Sequence, residues 1–214
     1  PEPKHGLIFS EVEAWRALNE IMERWDHKHL NKEVTELEKI PITTECLARV
    51  IFHELSKLMP VKKVRLYEKD DFFAEFHKGG RFTMGIKSYF NAAHRLHNNS
   101  FSKEENAKLY GKCNNPEGHG HRYDVECVIT GKLNEKSGAL QSLEEMHREL
   151  DSALSRWNYK HLDLETDDFV ARPSTGENIV QVLWERLSDA MAAELWGLRL
   201  WETESNMFEI QKAL

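Results

Sequence analysis

Three histidines lie at the ends of two predicted β-strands, at a spacing that suits a metal ion. His119 and His121 are two residues apart in Gly118-His119-Gly120-His121, at the head of an alternating run that reaches Ile129. Residues i and i+2 of a strand point to the same side, so both imidazoles can face one ion. His94 ends an earlier alternating run, and it supplies a third nitrogen if the two strands pair. Three imidazoles and one open position predict a catalytic zinc site, whereas the alternative is ordinary surface histidines.

Cys113 is a candidate reactive thiol. It lies in a stretch rich in turn residues, from Gly111 to Gly118, just before the histidine pair. Nearby positive charge lowers the pKa of a thiol, so a cysteine on a loop beside a dication is a candidate thiolate. The alternative is an unreactive loop thiol.

Composition excludes several classes of function. The 214 residues are 40% hydrophobic and 30% charged, as in an ordinary globular protein. A net charge of −7 without a basic stripe argues against a nucleic-acid partner. The sequence has no apolar run near 18 residues, which argues against a membrane partner. Three cysteines are too few for a disulfide scaffold, and they predict a reducing, cytoplasmic setting.

The chain contains an internal repeat. Residues 6–60 align without a gap onto residues 138–192, and after a two-residue slip Arg65 to Glu68 align onto Arg199 to Glu202. Nothing in the first copy matches the histidine and cysteine segment, residues 80–137. We therefore predict a truncated module over residues 1–78, which holds only the second half of the unit, and a complete module over residues 79–214.

Periodicity predicts the elements of each copy. The first helices span Glu11 to Trp25 and Leu143 to Trp157, each opened by a Ser-x-x-Glu capping box at Ser10 and Ser142. The second helices span Glu45 to Leu58 and Glu177 to Leu195, and strand pairs follow over Val61 to Phe76 and Leu198 to Ile210. The complete module has the order β-β-α-α-β-β. This order predicts an α+β fold, an antiparallel four-stranded sheet with two helices on one face.

With these features in place, the complete module resembles the 6-pyruvoyl-tetrahydropterin synthase family. The resemblance runs from about Arg81 to Ile210. The matching segments are Phe90 to His97, Gly111 to Tyr123, Trp157 to Asp163, Thr175 to Asn178 and Trp201 to Glu204. It implies the tunnelling fold, in which modules join their sheets into a β-barrel. It also implies conversion of the small molecule 7,8-dihydroneopterin triphosphate to 6-pyruvoyl-tetrahydropterin, with elimination of triphosphate.

A sister group, the 6-carboxytetrahydropterin synthases of queuosine biosynthesis, uses nearly the same residues on the same substrate and is an alternative. The five residues between Cys113 and His119 are more typical of the pyruvoyl-forming group.

The resemblance assigns roles to individual residues. His94, His119 and His121 are expected to bind Zn²⁺, which would lower the pKa of the substrate's side-chain hydroxyls. Cys113 is the expected general base. Glu202 is expected to anchor the pterin, assisted by Thr175 and Glu177. For Glu177 there is an alternative, because Ser174-Thr175-Gly176-Glu177 is itself a capping-box sequence.

The complete module departs from the family at one catalytic position. The family pairs its cysteine with an Asp-His dyad from a neighbouring subunit, but this module has Asn158-Tyr159. The truncated copy retains Asp26-His27 at the matching position. We hypothesise that Asp26 and His27 complete the site that Cys113 serves. The alternatives are that this pair is a remnant at a helix end, or that the protein is an inactive pterin-binding paralogue.

The first copy lacks a leading β-hairpin, so its sheet is short by two strands. Exposed strand edges are normally paired or covered. We therefore expect a homo-oligomer, a trimer or hexamer-like barrel, that closes the sheet.

Overall fold

The computed structural model describes residues 10–213. These residues form two compact units. The first comprises the described residues up to Met84 together with Thr130–Leu140, and the second comprises Gly85–Ile129 together with the described residues from Gln141 onward. Residues 6–9 of the predicted repeat, and the start of the predicted module 1–78, lie outside the described residues. Every helix within residues 10–213 is too short or too polar to span a lipid bilayer.

The first unit packs helices against a β-hairpin. Its elements are α1 (Glu11–Trp25), α2 (Leu30–Glu33), a 3₁₀ turn (Thr35–Leu37), α3 (Thr44–Ser56), β1 (Lys63–Lys69) and β2 (Phe72–His77). Ile21 of α1 is buried in one cluster with Ile51 and Leu55 of α3, and Val64 of β1 packs against them. Burying an aliphatic side chain stabilises by roughly 1.5–3 kcal/mol. The apolar faces of both helices therefore fix them on the hairpin.

The second unit is a sheet that carries helices. Its elements are most of β3 (Phe82–His94), α4 (Lys103–Tyr110), a 3₁₀ turn (Gly111–Asn114), most of β4 (His119–Gly131), α5 (Leu143–Ser155), β5 (Lys160–His161), α6 (Leu162–Glu165), α7 (Gly176–Ala190), β6 (Glu194–Thr203) and β7 (Asn206–Gln211). The strands lie in the order β3-β4-β6-β7, and the two-residue β5 pairs in parallel with β3. The predicted α+β class, an antiparallel sheet with helices, is confirmed.

Several predicted boundaries were wrong. Helix α7 ends at Ala190 rather than Leu195, because Met191 is extended and β6 already begins at Glu194. The capping boxes at Ser10 and Ser142 are half formed: each serine hydroxyl accepts from the backbone N–H three residues on, at 3.4 Å. A complete capping box, which the sequence reading missed, opens α4 at Ser102.

The repeat is visible in strand register. In the β1–β2 hairpin Arg65 lies opposite Glu75, and in the β6–β7 hairpin Arg199 lies opposite Glu209. Both hairpins also carry an irregularity at the matching place, between Tyr67 and Lys69 and between Trp201 and Thr203. In both, the arginine Nε lies 2.7 Å from the glutamate Oε1. The two copies therefore keep the same pairing as well as similar residues.

Glu75 is the centre of a buried polar cluster in the first unit. Its carboxylate accepts hydrogen bonds from Lys63 Nζ at 2.6 Å, Arg65 Nε at 2.7 Å and Thr83 Oγ1 at 2.8 Å. His77 Nε2 lies 3.0 Å away. Burial opposes ionisation, but the hydrogen bonds from the three basic neighbours outweigh it and lower the pKa of Glu75 well below its ordinary value. The ionised carboxylate therefore holds the hairpin to the start of β3.

We expect Glu75→Gln to lower the free energy of unfolding by about 3 kcal/mol at neutral pH, because it removes the buried carboxylate that pairs with Lys63 and Arg65 and leaves the partly buried Arg65 guanidinium without this partner. The folded pKa lies below the unfolded one. This stability is therefore present above the unfolded pKa of about 4.3 and is lost as pH falls towards the folded pKa. Urea denaturation of both proteins at pH 7 and pH 3 measures the difference.

Glu209→Gln is the matched control. The Glu209 side chain is 33% exposed, against 4% for Glu75, so its loss should stay below about 1 kcal/mol. Equal losses in the two variants would contradict the importance assigned to burial.

Candidate metal centre and active site

Three imidazoles meet where β3 ends and β4 begins. His94 is the last residue of β3, His119 is the first residue of β4, and the two strands are neighbours in the sheet. The ring centroid of His94 lies 4.6 Å from that of His119 and 5.3 Å from that of His121. One nitrogen from each ring lies within 4.8 Å of the other two. The structure thus brings together the three histidines that strand periodicity singled out.

Gly118 permits this close approach. Its φ is +69°, a region that side chains rarely adopt, and a Cβ there would lie 2.7 Å from His161 Nε2 and 2.8 Å from the carbonyl oxygen of His94. A Cβ on Gly120 would meet only the Ala92 carbonyl oxygen, at 3.7 Å. Only the first glycine of the Gly-His-Gly-His motif is therefore required by the backbone.

The protonation states of the cluster favour a cation. His94 Nδ1 lies 2.8 Å from the carbonyl oxygen of Ser174, which can only accept, so the proton is on Nδ1 and Nε2 offers a lone pair. Burial lowers the pKa of both His94 and His121, which favours the neutral form that metals bind. His94 Nε2 faces His119 Nε2 at 3.1 Å, near the roughly 3.3 Å that separates two nitrogens on a tetrahedral zinc ion.

Unpaired polar atoms support the same interpretation. Within the part of the chain that the structure describes, His119 Nδ1 and His121 Nε2 are buried and make no hydrogen bond. A buried polar atom without a partner costs about 1–3 kcal/mol. A divalent cation bound by these rings would satisfy His121 Nε2, whereas His119 presents its other ring nitrogen, Nε2, to His94. The donor set of three imidazoles fits zinc.

Glu202 of β6 lies beside the histidines. Its Oε1 is 3.3 Å from His94 Nε2 and 3.8 Å from His121 Nε2, and its Oε2 accepts from Asn206 Nδ2 at 2.7 Å. The sequence reading gave this carboxylate a separate substrate-anchoring role. The structure places it within reach of the same centre.

Tyr123 is a site residue that the sequence reading missed. Its hydroxyl donates to Glu202 Oε1 at 3.4 Å, and its buried ring stacks on Phe90 with centroids 4.8 Å apart. Burial, together with the Glu202 carboxylate, raises the pKa of Tyr123, so this hydroxyl stays protonated. It is two residues beyond His121, so the same alternation that found the histidines could have found it.

Cys113 belongs to a 3₁₀ turn rather than to the irregular loop that we predicted. The turn Gly111–Asn114 follows α4, and the backbone N–H of Leu96 donates to the Cys113 carbonyl at 2.9 Å. This bond ties the turn to the residues that follow His94. The thiol is free and only half-buried. The cysteine is therefore held on a defined turn next to the metal-binding strand.

The start of α7 differs from the predicted capping box. Thr175, not Ser174, is the N-cap, and its hydroxyl accepts from the backbone N–H of Asn178 at 3.4 Å. Ser174 Oγ is buried without a hydrogen-bond partner among the described residues. Glu177 is exposed in the first turn of the helix. The capping-box explanation for Glu177 is therefore wrong, although its acidic charge still suits a helix N-terminus.

The two copies share an unusual backbone turn at Asp26-His27 and Asn158-Tyr159. His27 and Tyr159, which the repeat aligns, have φ of 57° and 60°, and they are the only non-glycine residues with positive φ in the described chain. His27 Nδ1 lies 2.8 Å from Asp26 Oδ2, with the two side chains 92% and 67% exposed. The carboxylate therefore orients the imidazole and leaves Nε2 open to solvent.

The second copy uses the same position differently. Asn158 Oδ1 accepts from the backbone N–H of Asn91 at 2.9 Å, and the backbone N–H of Tyr159 donates to the Asn91 carbonyl at 2.6 Å. These bonds fasten the turn to β3. The amide thus serves a structural purpose where the first copy presents a carboxylate and an imidazole.

In the first unit a threonine hydroxyl engages the counterpart of Glu202. Thr44 occupies the position of Gly176, and its hydroxyl donates to Glu68, the counterpart of Glu202. In the second unit a Cβ on Gly176 would lie 2.0 Å from Phe208 Cε2, and the counterpart of Phe208 is Ala74. The first unit thus has the larger side chain on the helix and the smaller one on the strand, and the second unit has the reverse. Glu68 accepts a hydrogen bond from Thr44 within its own unit.

Comparison with known proteins agrees with these features. The sequence model of the family described as 6-pyruvoyl tetrahydropterin synthase matches residues 1–79 and 83–213, which fits a partial tandem duplication. A 6-pyruvoyl tetrahydrobiopterin synthase of Poecilia reticulata is 37% identical over 120 residues, 55% of this chain and 82% of the relative. The synthase of that name from Homo sapiens is 34% identical over 120 residues, 55% of this chain and 83% of the relative.

A solved structure is also similar. The Caenorhabditis elegans 6-pyruvoyl tetrahydropterin synthase matches with a TM-score of 0.60 and 32% identity, over 62% of this chain and 96% of that one. This likeness confirms the expected tunnelling fold.

We expect the chain to bind one divalent metal ion, and His119→Ala to weaken binding by more than about 100-fold, beyond the loss typical of outer-shell partners. The reason is that two imidazoles and a water hold zinc less well than three imidazoles. Metal content after dialysis against a weak chelator, measured by plasma mass spectrometry, tests this. His147→Ala, on α5, is the control and should keep its metal. Wild-type metal content in His119→Ala would contradict the assignment of this centre.

Proposed function

This chain belongs to the 6-pyruvoyl tetrahydropterin synthase family, a family of lyases, and we propose that it converts 7,8-dihydroneopterin triphosphate to 6-pyruvoyl-tetrahydropterin with elimination of triphosphate. The observation that supports this most directly is the cluster of buried His94 with half-buried His119 and His121, which has the Glu202 carboxylate beside it. A metal-binding face and an acidic anchor within one small region suit a substrate that carries both hydroxyls and a basic ring edge.

The proposed metal is zinc, bound by His94, His119 and His121. When bound there, zinc supplies a Lewis acid that lowers the pKa of hydroxyl groups on the substrate. The chain's part is to keep the three rings neutral and oriented. Burial and the Ser174 carbonyl do this for His94.

Cys113 is proposed to remove a proton from the substrate's side chain. The thiol is free and partly accessible, and the 3₁₀ turn fixes its backbone beside the strand that ends in His94. Glu202 is proposed to anchor the pterin through paired hydrogen bonds, assisted by Thr175 and Glu177. The Tyr123 hydroxyl that donates to Glu202 would help to hold this carboxylate in place.

Asp26 and His27 are proposed to complete the site of a neighbouring chain. The pair is exposed, its imidazole is oriented by its carboxylate, and the matching residues Asn158 and Tyr159 are fastened to β3 instead. His27 would exchange protons with the Cys113 of that neighbour, since an imidazole changes charge near neutral pH.

Such a shared site requires association between chains. Strand β1 is an edge of the first unit and β7 an edge of the second, and both are largely exposed. Edge strands leave backbone N–H and C=O groups that another chain can pair with. We propose a homo-oligomer that closes the sheets into a barrel, a trimer or a hexamer-like assembly, in the cytoplasm.

The proposed activity is tested directly by incubating the zinc-loaded chain with 7,8-dihydroneopterin triphosphate. We expect release of inorganic triphosphate together with a 6-pyruvoyl pterin, identified by chromatography and mass spectrometry. A 6-carboxy product would overturn the proposed product. Binding without turnover would identify an inactive pterin-binding protein.

A trans-complementation experiment tests the shared site. We expect His27→Ala and Cys113→Ala each to lower kcat by at least about 100-fold, as loss of an acid–base group does, with zinc content unchanged. When the two variants are co-expressed with different tags and isolated as mixed oligomers, part of the activity should return, because one chain supplies His27 and the other Cys113. Full activity of His27→Ala alone, or mixed oligomers as inactive as either variant, would refute the sharing.

Among the described residues the histidine cluster lies beside Glu202 and has no counterpart beside Glu68, which accepts from Thr44 instead, so we predict one pterin site per chain. We expect calorimetry with 7,8-dihydroneopterin to give a stoichiometry of one. Glu202→Gln should weaken binding by at least about tenfold, because a charge-assisted pair is lost. Glu68→Gln is the matched variant at the equivalent position, and its affinity should stay within about twofold of wild type. Two sites per chain, or equal effects of the two variants, would disprove this asymmetry.

A further inference from the structure

A large cavity lies in the second unit, next to the imidazole cluster but lined by none of its three histidines. Its volume is about 720 Å³, within the range of roughly 300–1,000 Å³ that is usual for small-molecule sites. Its walls come from the segment after β3, the loop before β4, α6 and the segment that leads to α7. No residue described so far as a metal, acid–base or pterin group lines it.

The cavity and the metal centre share a wall. Arg95 lines the cavity and directly follows His94. Pro173 also lines it and precedes Ser174, whose carbonyl accepts the His94 Nδ1–H. His161 lies on the cavity wall, and its Nε2 is 2.7 Å from the place of a Cβ on Gly118. A molecule held at the histidines could therefore extend into this space.

The cavity is positively charged in a chain that is acidic overall. Two guanidinium groups, Arg95 and Arg172, line it, against one carboxylate, Asp163. Asp163 already accepts from the backbone N–H of Arg95 at 2.8 Å. Across residues 10–213, neither guanidinium forms an ion pair, and Arg95 uses only Nε, towards the Asn114 carbonyl at 3.3 Å. The terminal nitrogens of two arginines thus remain available for an anion.

Uncharged hydrogen-bond donors also line the cavity, beside the two guanidinium groups. The walls include His97, Asn99 and His161. His161 Nδ1 is buried with no hydrogen bond in the described chain, since the nearest carboxylate oxygen, Asp163 Oδ2, is 3.8 Å away. Guanidinium groups match phosphate oxygens with two parallel hydrogen bonds, and a concave site lined by one sign of charge concentrates ions of the other sign. The chemistry of the walls therefore suits a polyphosphate.

We propose that this cavity binds the triphosphate group of the substrate through Arg95 and Arg172. The inference rests on the proposed lyase function and extends it. In the elimination, a base removes a proton from the carbon next to the one that bears the triphosphate, the C–H electron pair forms a C=C bond, and the C–O bond breaks with its electron pair leaving on the triphosphate oxygen. Two guanidinium groups beside the leaving group stabilise the charge that develops there. The cavity is then the leaving-group site, and the histidines and Glu202 hold the rest of the substrate.

Calorimetry on the zinc-loaded, full chain tests the cavity without requiring turnover. Inorganic triphosphate is the first probe. We expect wild type to bind it, and Arg95→Gln and Arg172→Gln each to weaken binding by at least about tenfold, because each removes a charge-assisted pair. Arg148→Gln, an exposed arginine of α5, is the matched control and should change the affinity less than about twofold. No binding, or equal binding by all four proteins, would overturn the proposal.

A second comparison identifies the source of the phosphate group. Arg172→Gln should weaken binding of 7,8-dihydroneopterin triphosphate by at least about tenfold and leave binding of 7,8-dihydroneopterin unchanged. Inorganic triphosphate should compete with the substrate. If it binds without competing, the cavity is a separate anion site and the proposal is wrong. Should wild type fail to turn over while these binding differences hold, the lyase function fails and the cavity assignment stands.

Discussion

The second unit depends on burying imidazole rings that remain neutral. Removing a ring from water disfavours its protonated form, and the carbonyl of Ser174 fixes which nitrogen of His94 carries the proton. The strands then have to meet at one point, which demands a glycine at position 118 and a tight contact with the His94 carbonyl. Placement of Tyr123 and Glu202 follows, because both lie against the same rings. The ends of β3 and β4, the segment before α7 and Glu202 of β6 are thus all in contact with the histidine rings or with His94.

The two copies keep the same strand pairing but differ in the residues that could bind a ligand. Their hairpins keep one register, one irregularity and one Arg–Glu pair. Single residue differences between the two copies change the surroundings of Glu68 and Glu202. In the first copy Thr44 donates a hydrogen bond to Glu68, and Ala74 is the small residue on the strand. In the second copy Phe208 packs against Gly176, and Glu202 faces the histidines. The larger side chain of the pair comes from the helix in the first copy and from the strand in the second, and the hydrogen bonding of the carboxylate differs accordingly.

Local periodicity accounts for what the sequence could predict. Alternation along β4 placed His119 and His121 on one face, and helical spacing gave the bounds of α1. The remaining features depend on partners far apart in the chain: His94 with Ser174, 80 residues away, and Tyr123 with Glu202, 79 residues away. No local pattern encodes such pairs. The N-cap of α7, Thr175, was misplaced by one residue for a related reason, since several Ser and Thr positions satisfy the same short motif.

The left-handed turn shared by His27 and Tyr159 bears on the history of the protein. A non-glycine residue in that region costs of order 1 kcal/mol or more, yet both copies retain it. In the second copy the side-chain oxygen of Asn158 accepts a backbone hydrogen bond, which a carboxylate oxygen could accept equally well. The divergence there has removed a charge and an imidazole but has not rebuilt the scaffold around them. The backbone that presents Asp26 and His27 is thus kept in the second copy, and two substitutions, Asn158→Asp and Tyr159→His, would give that turn the residues of the first copy.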